Sequence, residues 1–267
     1  MTNYSENKPI LKYEHVDISY RGKKAVRDVS FTLREREIMG LVGESGSGKS
    51  TIIKAAMNLL GEDGLVTKGD IWYGNYDIPD LKGEELRKIC GPELAMIFQN
   101  VGLSMCPIRK IGSQIYESIN EHFRISKEEF RTRVGEIMNI IGLTDYDRIL
   151  DSYPFQLSGG MNQRVGICMA MLMNPKVLLA DEPTSALDVT TQKKVVEEML
   201  KMRDKYGTSM IVVTHNIGLV EKMCDTVVVL KDGEIREFGD AKEVINNPQD
   251  EYTKLLMNSV IKIKKAR

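Results

Sequence analysis

The sequence has no long apolar run. Its longest ones, such as residues 177–180 and 210–213, span a few residues only, whereas a membrane-spanning helix needs about 20. Residues 1–8 are polar and have no apolar core of the kind that a secretory signal requires. We therefore expect no transmembrane segment, and a chain that stays in the cytosol.

The sequence also has no excess of charge of one sign, and it has few cysteines. The 37 Lys and Arg residues balance 38 Asp and Glu residues, for a formal net charge of −1, which argues against a nucleic-acid binder that relies on gross positive charge. None of the four cysteines lies in a C-x-x-C pair, so we predict free, buried thiols rather than disulfides or a metal site. These cysteines are Cys90, Cys106, Cys168 and Cys224.

Hydrophobic periodicity indicates an α/β chain that begins with β structure. Alternating apolar residues at 16–20 and 29–33 predict antiparallel strands. A continuous apolar strand at 38–42 precedes a glycine-rich segment. A helix then follows through Ile52, Ile53, Ala56 and Leu60, and Gly61 ends it.

The second half of the chain separates into a helical block and an alternating block. Residues 111–158 are predicted helical, with a capping box at Ser126 and Glu129 and a helix stop at Gly142. Strands at 177–180, 210–213 and 226–230 then alternate with helices, which predicts a parallel sheet. Asp232 and Gly233 are typical of a hairpin turn.

A phosphate-binding loop is the clearest motif in the sequence. Residues 43–50 fit G-x-x-x-x-G-K-[ST] between a predicted strand and a predicted helix. Backbone N–H groups and the helix N-terminus would face phosphate oxygens, Lys49 would lie near the β- and γ-phosphates, and the Ser50 hydroxyl would bind Mg²⁺. The residues of this loop are Gly43, Glu44, Ser45, Gly46, Ser47, Gly48, Lys49 and Ser50.

Two carboxylates end the predicted strand at 177–180. Open α/β sheets bind ligands at the carboxyl ends of their strands. Asp181 suits Mg²⁺ coordination through an intervening water, and Glu182 is placed to polarise the water that attacks a γ-phosphate. Taken alone, this segment also fits an ordinary exit from a strand into a loop.

A second candidate anion site precedes another predicted helix. The Ser158 hydroxyl and the N–H groups of Gly159 and Gly160 would point at a negative group at the helix N-terminus. A simple helix cap and turn is the alternative interpretation.

In their order, the motifs resemble the nucleotide-binding subunit of an ABC transporter. The resemblance rests on the loop at 43–50, Gln99, residues 157–164, residues 181–183, Asp188 and Thr214-His215, and it covers essentially the whole chain. It implies a P-loop NTPase (RecA-like) core with an N-terminal antiparallel β subdomain. Residues 1–267 would be a single ABC ATPase domain, with a helical subdomain inserted at about residues 100–160.

The resemblance also implies the ligands, ATP and Mg²⁺, and a role for each matching residue. Lys49, Ser50 and Thr51 would bind phosphate and metal, and Gln99 would reach Mg²⁺ and the attacking water while reporting to the membrane domains. Glu182 would be the catalytic base and His215 a γ-phosphate contact. Ser158, Gly159 and Gly160 would contact the nucleotide bound by a partner ATPase subunit. Asp188 would bridge the two nucleotide sites of such a pair. Tyr20 would stack on adenine.

Two of these residues have a structural alternative. Tyr20 could be an edge-strand core residue, and Asp188 a helix N-cap.

Finer resemblance points to importers of oligopeptides, dipeptides and nickel. It rests on residues 25–31, 156–161, 181–190 and 251–256. The chain departs from this branch at Val101, at Asn216 and at Glu251. It has no C-terminal cysteine cluster, so we expect no iron–sulfur cluster, and its short end resembles nickel or metallophore members somewhat more.

This branch implies a complex at the cytoplasmic face of the cell membrane. The expected partners are a second ABC ATPase subunit, more often a paralogue than an identical chain, two permeases, and through them an extracytoplasmic solute-binding protein. No nucleic-acid partner is expected. A soluble ABC ATPase acting on nucleic acid or ribosomes is the alternative, which the single cassette and the lack of extended heptads disfavour. The basic segment 261–267 reads as a solvated end, or else as a contact with anionic lipid headgroups.

Overall fold

The computed structural model describes residues 7–259 and divides them into two compact units. The first unit comprises residues 7–79 and 211–259, and the second comprises Asp80–Met210. The second unit thus lies, in sequence, between two segments of the first. The basic segment 261–267 lies outside the described residues, and its two interpretations stay open.

The first segment of the first unit forms an antiparallel sheet and one helix. The sheet has the strand order β2-β1-β4-β5, and β1 pairs with both β2 and β4. Apolar side chains alternate in the first half of β1, so that Leu11 and Tyr13 are buried, and the Tyr13 ring stacks on Phe31 at 4.4 Å. The elements are β1 (Pro9–Tyr20), β2 (Lys23–Arg34), β3 (Ile38–Gly43), α1 (Lys49–Ala55), β4 (Gly64–Tyr73) and β5 (Tyr76–Asp77).

The second unit is mostly helical and contains two parallel strands. β6 and β7 pair from Leu94 with Val177 to Ile97 with Ala180. The helices enclose an apolar cluster that includes Ile111, Val134 and Val165. Its elements are α2 (Gly83–Ile89), β6 (Leu94–Ile97), α3 (Val101–Ser104), α4 (Ile111–Asn120), α5 (Lys127–Ile140), α6 (Tyr146–Asp151), α7 (Gly159–Met173), β7 (Val177–Asp181) and α8 (Val189–Tyr206).

The last segment of the chain returns to the first unit through β8 (Ser209–Val213), within which the division falls. β3 runs parallel to β9, from Met39 with Thr226 to Gly43 with Leu230. β9 and β10 form an antiparallel hairpin, which confirms the predicted turn at Asp232. The further elements are α9 (Ile217–Met223), β9 (Thr226–Lys231), β10 (Glu234–Asp240), α10 (Ala241–Asn246) and α11 (Glu251–Ser259).

The predicted fold class is confirmed, whereas several element boundaries are not. α1 ends at Ala55 instead of continuing to Leu60. The Leu59 N–H donates back to the Lys54 carbonyl at 2.9 Å, and Asn58 takes a left-handed φ of 53°, which ends the helix. The sequence did not indicate α2 or β5. The single-domain boundaries stay a prediction.

The burial of the cysteines differs in part from its prediction. None of the four cysteines forms a disulfide, but Cys106 is exposed and Cys90 only partly buried, against the prediction of burial. Burial raises the pKa of the Cys90 thiol to about 11. Within residues 7–259, no helix has both the length and the apolar character to cross a bilayer.

Candidate functional site

The glycine-rich loop closes around a lysine ammonium. Lys49 opens α1 and is 8% exposed. Its Nζ donates to the Gly43 carbonyl at 2.9 Å, to the Glu44 carbonyl at 2.6 Å and to the Ser47 Oγ at 3.2 Å. The positive charge therefore lies at the centre of the loop, held mainly by backbone oxygens.

Glycine is required at the base of this loop and leaves room at its tip. A Cβ at Gly43, where φ is 147°, would lie 2.1 Å from the Leu230 carbonyl oxygen, so that no larger residue fits. Gly46, where φ is 82°, has no atom within 4 Å of an added Cβ. An ammonium and a turn of backbone N–H groups beneath an open tip fit a polyphosphate.

In the second unit, a parallel strand pair brings together two of the predicted catalytic residues. Gln99 follows β6 and Glu182 follows β7, and the carboxyl ends of neighbouring parallel strands lie at one edge. The Gln99 Nε2 donates to the Glu182 Oε2 at 3.4 Å. Asp181, the last residue of β7, is 4% exposed.

Glu182 has an unusual backbone. Its φ is 47°, in the left-handed region that costs a residue with a side chain about 1 kcal/mol or more. Its carbonyl accepts hydrogen bonds from the N–H of Ser185 at 3.3 Å and from the Ser185 hydroxyl at 3.1 Å. These two bonds hold the Glu182 backbone in the turn after β7.

Gln163 on α7 is a site residue that sequence reasoning missed. It is 2% exposed, and its Nε2 donates to the carbonyls of Phe98 and Pro183, each at 3.3 Å. These carbonyls belong to the residue before Gln99 and the residue after Glu182. One buried amide therefore ties both strand exits to the same helix.

The predicted second anion site is a helix cap in this structure. The Ser158 hydroxyl accepts a hydrogen bond from the Met161 N–H at 3.3 Å, and Ser158 and Gly159 are exposed at the start of α7. A Cβ at Gly160 would lie 3.1 Å from the Ala186 carbonyl oxygen. The cap geometry is established, and the anion-binding role of these three residues stays a prediction.

Asp188 caps α8. Its carboxylate accepts from the Thr191 N–H at 3.0 Å and from the Thr191 hydroxyl at 2.6 Å, and these bonds hold the pKa of Asp188 below its usual range. The N-cap alternative is therefore confirmed. The bridging role that the resemblance implies stays a prediction.

The two remaining predicted residues, Tyr20 and His215, lie in the first unit. Tyr20 ends β1 and is half-buried, and a Cβ at Gly64 would meet its ring at 2.7 Å. His215 is exposed and follows β8. Asn216, where this chain departs from the branch, caps α9 by accepting from the Leu219 N–H at 3.3 Å.

The residues predicted to bind Mg²⁺ each offer an oxygen donor, which is the ligand type that Mg²⁺ prefers. Among residues 7–259, no cluster of three or more His, Cys, Asp or Glu side chains could hold a metal. Mg²⁺ in nucleotide sites needs only one or two protein ligands besides phosphate oxygens and waters. The hydroxyl of Ser50, the amide of Gln99 and the carboxylate of Asp181 are chemically suited to that part.

Two features define a P-loop nucleoside triphosphatase: the lysine-centred phosphate loop, and the pair of neighbouring strand exits whose glutamine and carboxylate side chains are hydrogen-bonded. Comparison with known proteins narrows this class. The family model described as "ABC transporter" matches residues 26–185. The chain belongs to the ABC transporter ATPase family.

Curated relatives carry transport names. The chain is 39% identical, over 89% of its length and 72% of the relative, to the "Dipeptide transport ATP-binding protein DppD" of Haemophilus influenzae. It is 40% identical, over 91% of its length and 69% of the relative, to the "Oligopeptide transport ATP-binding protein AmiE" of Streptococcus pneumoniae.

Solved structures of ABC cassettes share the fold. The dimeric bacterial ABC transporter cassette MJ0796 superposes with a TM-score of 0.78 at 31% identity, covering 87% of this chain and 99% of that one. A post-hydrolysis state of the same cassette, bound to ADP and Pi, also gives a TM-score of 0.78, at 30% identity and with the same coverage. This likeness supports ATP hydrolysis by the chain.

Proposed function

We propose that this chain is the ATP-hydrolysing subunit of an ABC importer for peptides. The lysine-centred loop is the observation that carries nucleotide binding, because it offers an ammonium and backbone donors to a triphosphate. Relatives named for dipeptide and oligopeptide transport, similar along most of this chain, support the import of peptides.

In this proposal the chemistry falls to the residues that the family resemblance implies. Lys49 neutralises charge on the β- and γ-phosphates, and Ser50 and Thr51 hold phosphate and Mg²⁺. Gln99 and Glu182 orient the attacking water, and Glu182 takes its proton as the water oxygen bonds to the γ-phosphorus and the bond to ADP breaks. His215 contacts the γ-phosphate, and Tyr20 stacks on the adenine.

A second ATPase subunit completes each site in this proposal. Ser158 and Gly159 are exposed at the start of α7, and together with Gly160 they would serve the nucleotide of that subunit. Asp188 would bridge the two sites. The similar cassette MJ0796 is described as dimeric, which supports pairing, and we favour a paralogous partner over an identical chain.

The complex would include two permeases, which receive cargo from an extracytoplasmic solute-binding protein, and would place this chain at the cytoplasmic face of the membrane. Peptide is favoured over nickel as cargo because the relatives described above are named for peptides. The same names favour a transporter over an ATPase acting on nucleic acid or ribosomes.

Deleting the gene and measuring uptake tests the proposal. Cells without this chain should lose accumulation of a labelled dipeptide and keep that of nickel, with both measured side by side. Wild-type chain should restore dipeptide uptake, and the Glu182→Gln chain should not. Unchanged dipeptide uptake, with no paralogue expressed that could substitute, would refute peptide import.

A further inference from the structure

The segment 251–256 supports the importer resemblance, yet the catalytic roles leave it unused. It forms the first turns of α11, whose start is tightly held. The Asp250 Oδ1 accepts from the N–H groups of Tyr252 at 2.9 Å and Thr253 at 3.1 Å. The Glu237 carboxylate on β10 accepts from the N–H groups of Gln249 at 2.9 Å and Asp250 at 3.1 Å. The backbone that carries Tyr252 is therefore fixed to the sheet.

The Tyr252 side chain reaches the phosphate loop. The residue is 8% exposed, and the Lys231 Nζ lies 4.7 Å from the centre of its ring. Its hydroxyl oxygen accepts a hydrogen bond from the Glu44 N–H at 3.1 Å. All of these residues belong to the first unit, so the contact is internal to one compact body.

This hydrogen bond and one from Lys49 hold the same peptide group from its two sides. In the peptide that joins Gly43 to Glu44, the carbonyl accepts from the Lys49 Nζ at 2.9 Å and the N–H donates to Tyr252. Rotation of this peptide would break both bonds. The phenol therefore stabilises the carbonyl direction that surrounds the lysine charge.

The phenol is chemically suited to this constant role. Burial raises the pKa of Tyr252, and the nearby Glu44 carboxylate also raises it. The hydroxyl therefore stays neutral at physiological pH. A neutral phenol keeps a lone pair for the Glu44 N–H without placing a negative charge next to a phosphate site.

We propose that Tyr252 is a positioning residue of the phosphate loop. It orders the peptide between Gly43 and Glu44 and so prepares Lys49 to bind a nucleoside triphosphate. The inference rests on the proposed function, since it assumes that the loop binds ATP. Tyr252 need not touch ATP for this role. Without the hydroxyl, the peptide rotates more freely, and ATP binding must supply the free energy that orders it.

Tyr252→Phe tests the role, and Tyr116→Phe is a matched control. The first change removes the hydroxyl and leaves the ring beneath Lys231. The second removes a phenol that donates to the Ile125 carbonyl at the same distance of 3.1 Å, in the second unit. Calorimetric titration of the full chain with MgATP should give a dissociation constant about 3- to 10-fold higher for Tyr252→Phe, the range expected for one net hydrogen bond. Tyr116→Phe should bind as the wild type does.

Kinetics of the assembled transporter separate positioning from loss of stability. For Tyr252→Phe, the KM for ATP should rise by the same factor while kcat stays within about twofold, because the phenol does not touch the reacting atoms. Wild-type affinity in Tyr252→Phe would overturn the positioning role. Equal weakening in Tyr116→Phe would overturn it too, since the effect would then be one of general stability. A wild-type chain that fails to bind MgATP would instead refute the proposed function itself.

Discussion

Adding one methyl group to α7 should disturb the segment that carries Gln99. Gly166 faces Val101, the first residue of α3, which lies two residues after Gln99. A Cβ at position 166 would lie 2.3 Å from the Val101 Cγ2 and 2.9 Å from its Cγ1, where ordinary contacts are 3.4–4 Å. Val101 is 5% exposed and stiff at χ1, so it cannot simply turn away.

Two opposing terms decide the effect of Gly166→Ala on stability. Overpacking a tight contact costs about 1–3 kcal/mol. Replacing glycine by alanine inside a helix recovers about 1 kcal/mol. We therefore expect the free energy of unfolding to fall by about 0–2 kcal/mol, which urea denaturation of the full chain measures.

ATP hydrolysis should fall as well, because α3 must move and Gln99 moves with it. Displacements of about 1 Å in a catalytic group can cost on the order of 100-fold in rate, so we expect the assembled transporter to lose about tenfold in ATPase activity. Val101→Ala removes both clashing methyl groups and should restore part of it. Rescue stays incomplete because the Val101 Cβ itself would be 3.2 Å from the new methyl group.

A double-mutant cycle with Val101→Ala tests this reasoning. The two changes should be non-additive, with a favourable coupling of about 1 kcal/mol or more, because they act on one contact. Val101→Ala alone opens a small cavity and should destabilise the chain by about 1–3 kcal/mol. Additive effects on both stability and ATPase activity, or unchanged activity in Gly166→Ala, would refute the idea that α7 positions Gln99.

Three further substitutions test single residues. Glu182→Gln should keep MgATP binding but lower turnover by about 100-fold or more, the scale of lost general-base catalysis; near-wild-type hydrolysis in the transporter would contradict that role. Lys49→Ala should weaken MgATP binding itself in calorimetric titration, so unchanged affinity would contradict its contact with phosphate. Burial raises the pKa of the Glu37 carboxyl group. Glu37 therefore stabilises the folded chain fully below its pKa in the unfolded chain, and this contribution to the free energy of unfolding is lost as the pH rises through its pKa in the folded chain. The neutral Glu37→Gln chain should therefore lose less stability than the wild type between about pH 4 and pH 8 in urea denaturation, and equal pH slopes would count against this explanation.

Local chemistry made much of the site predictable. The loop at 43–50 needs a glycine at position 43, where a Cβ would clash with the Leu230 carbonyl, and a lysine at position 49, where the loop encloses the ammonium. Both residue types can be recognised directly in the sequence motif. The caps at Ser126 and Asp188 were equally visible, since each hydroxyl or carboxylate serves an N–H three residues ahead.

Long-range contacts were not predictable from the sequence alone. Gln163 and Phe98 are 65 residues apart, and Tyr252 and Glu44 are 208 residues apart. A glutamine on a helix looks the same in a sequence whether its amide is solvated or buried. The predicted end of α1 was wrong for a related reason, because Leu60 still fits the helical period although Asn58, two residues earlier, has already turned the backbone.

The most direct test of peptide import measures the rate of ATP hydrolysis by the complete transporter in liposomes. The rate is measured with the peptide-loaded and with the peptide-free binding protein. The complex to be assembled is the proposed one, with this chain, a partner ATPase and two permeases. The peptide-loaded binding protein should stimulate hydrolysis several-fold over the peptide-free form, since only the assembled complex offers contacts through which peptide binding could act on this chain. The Glu182→Gln complex should stay near background in both conditions. Equal rates with loaded and peptide-free binding protein would contradict an ATPase that powers peptide import.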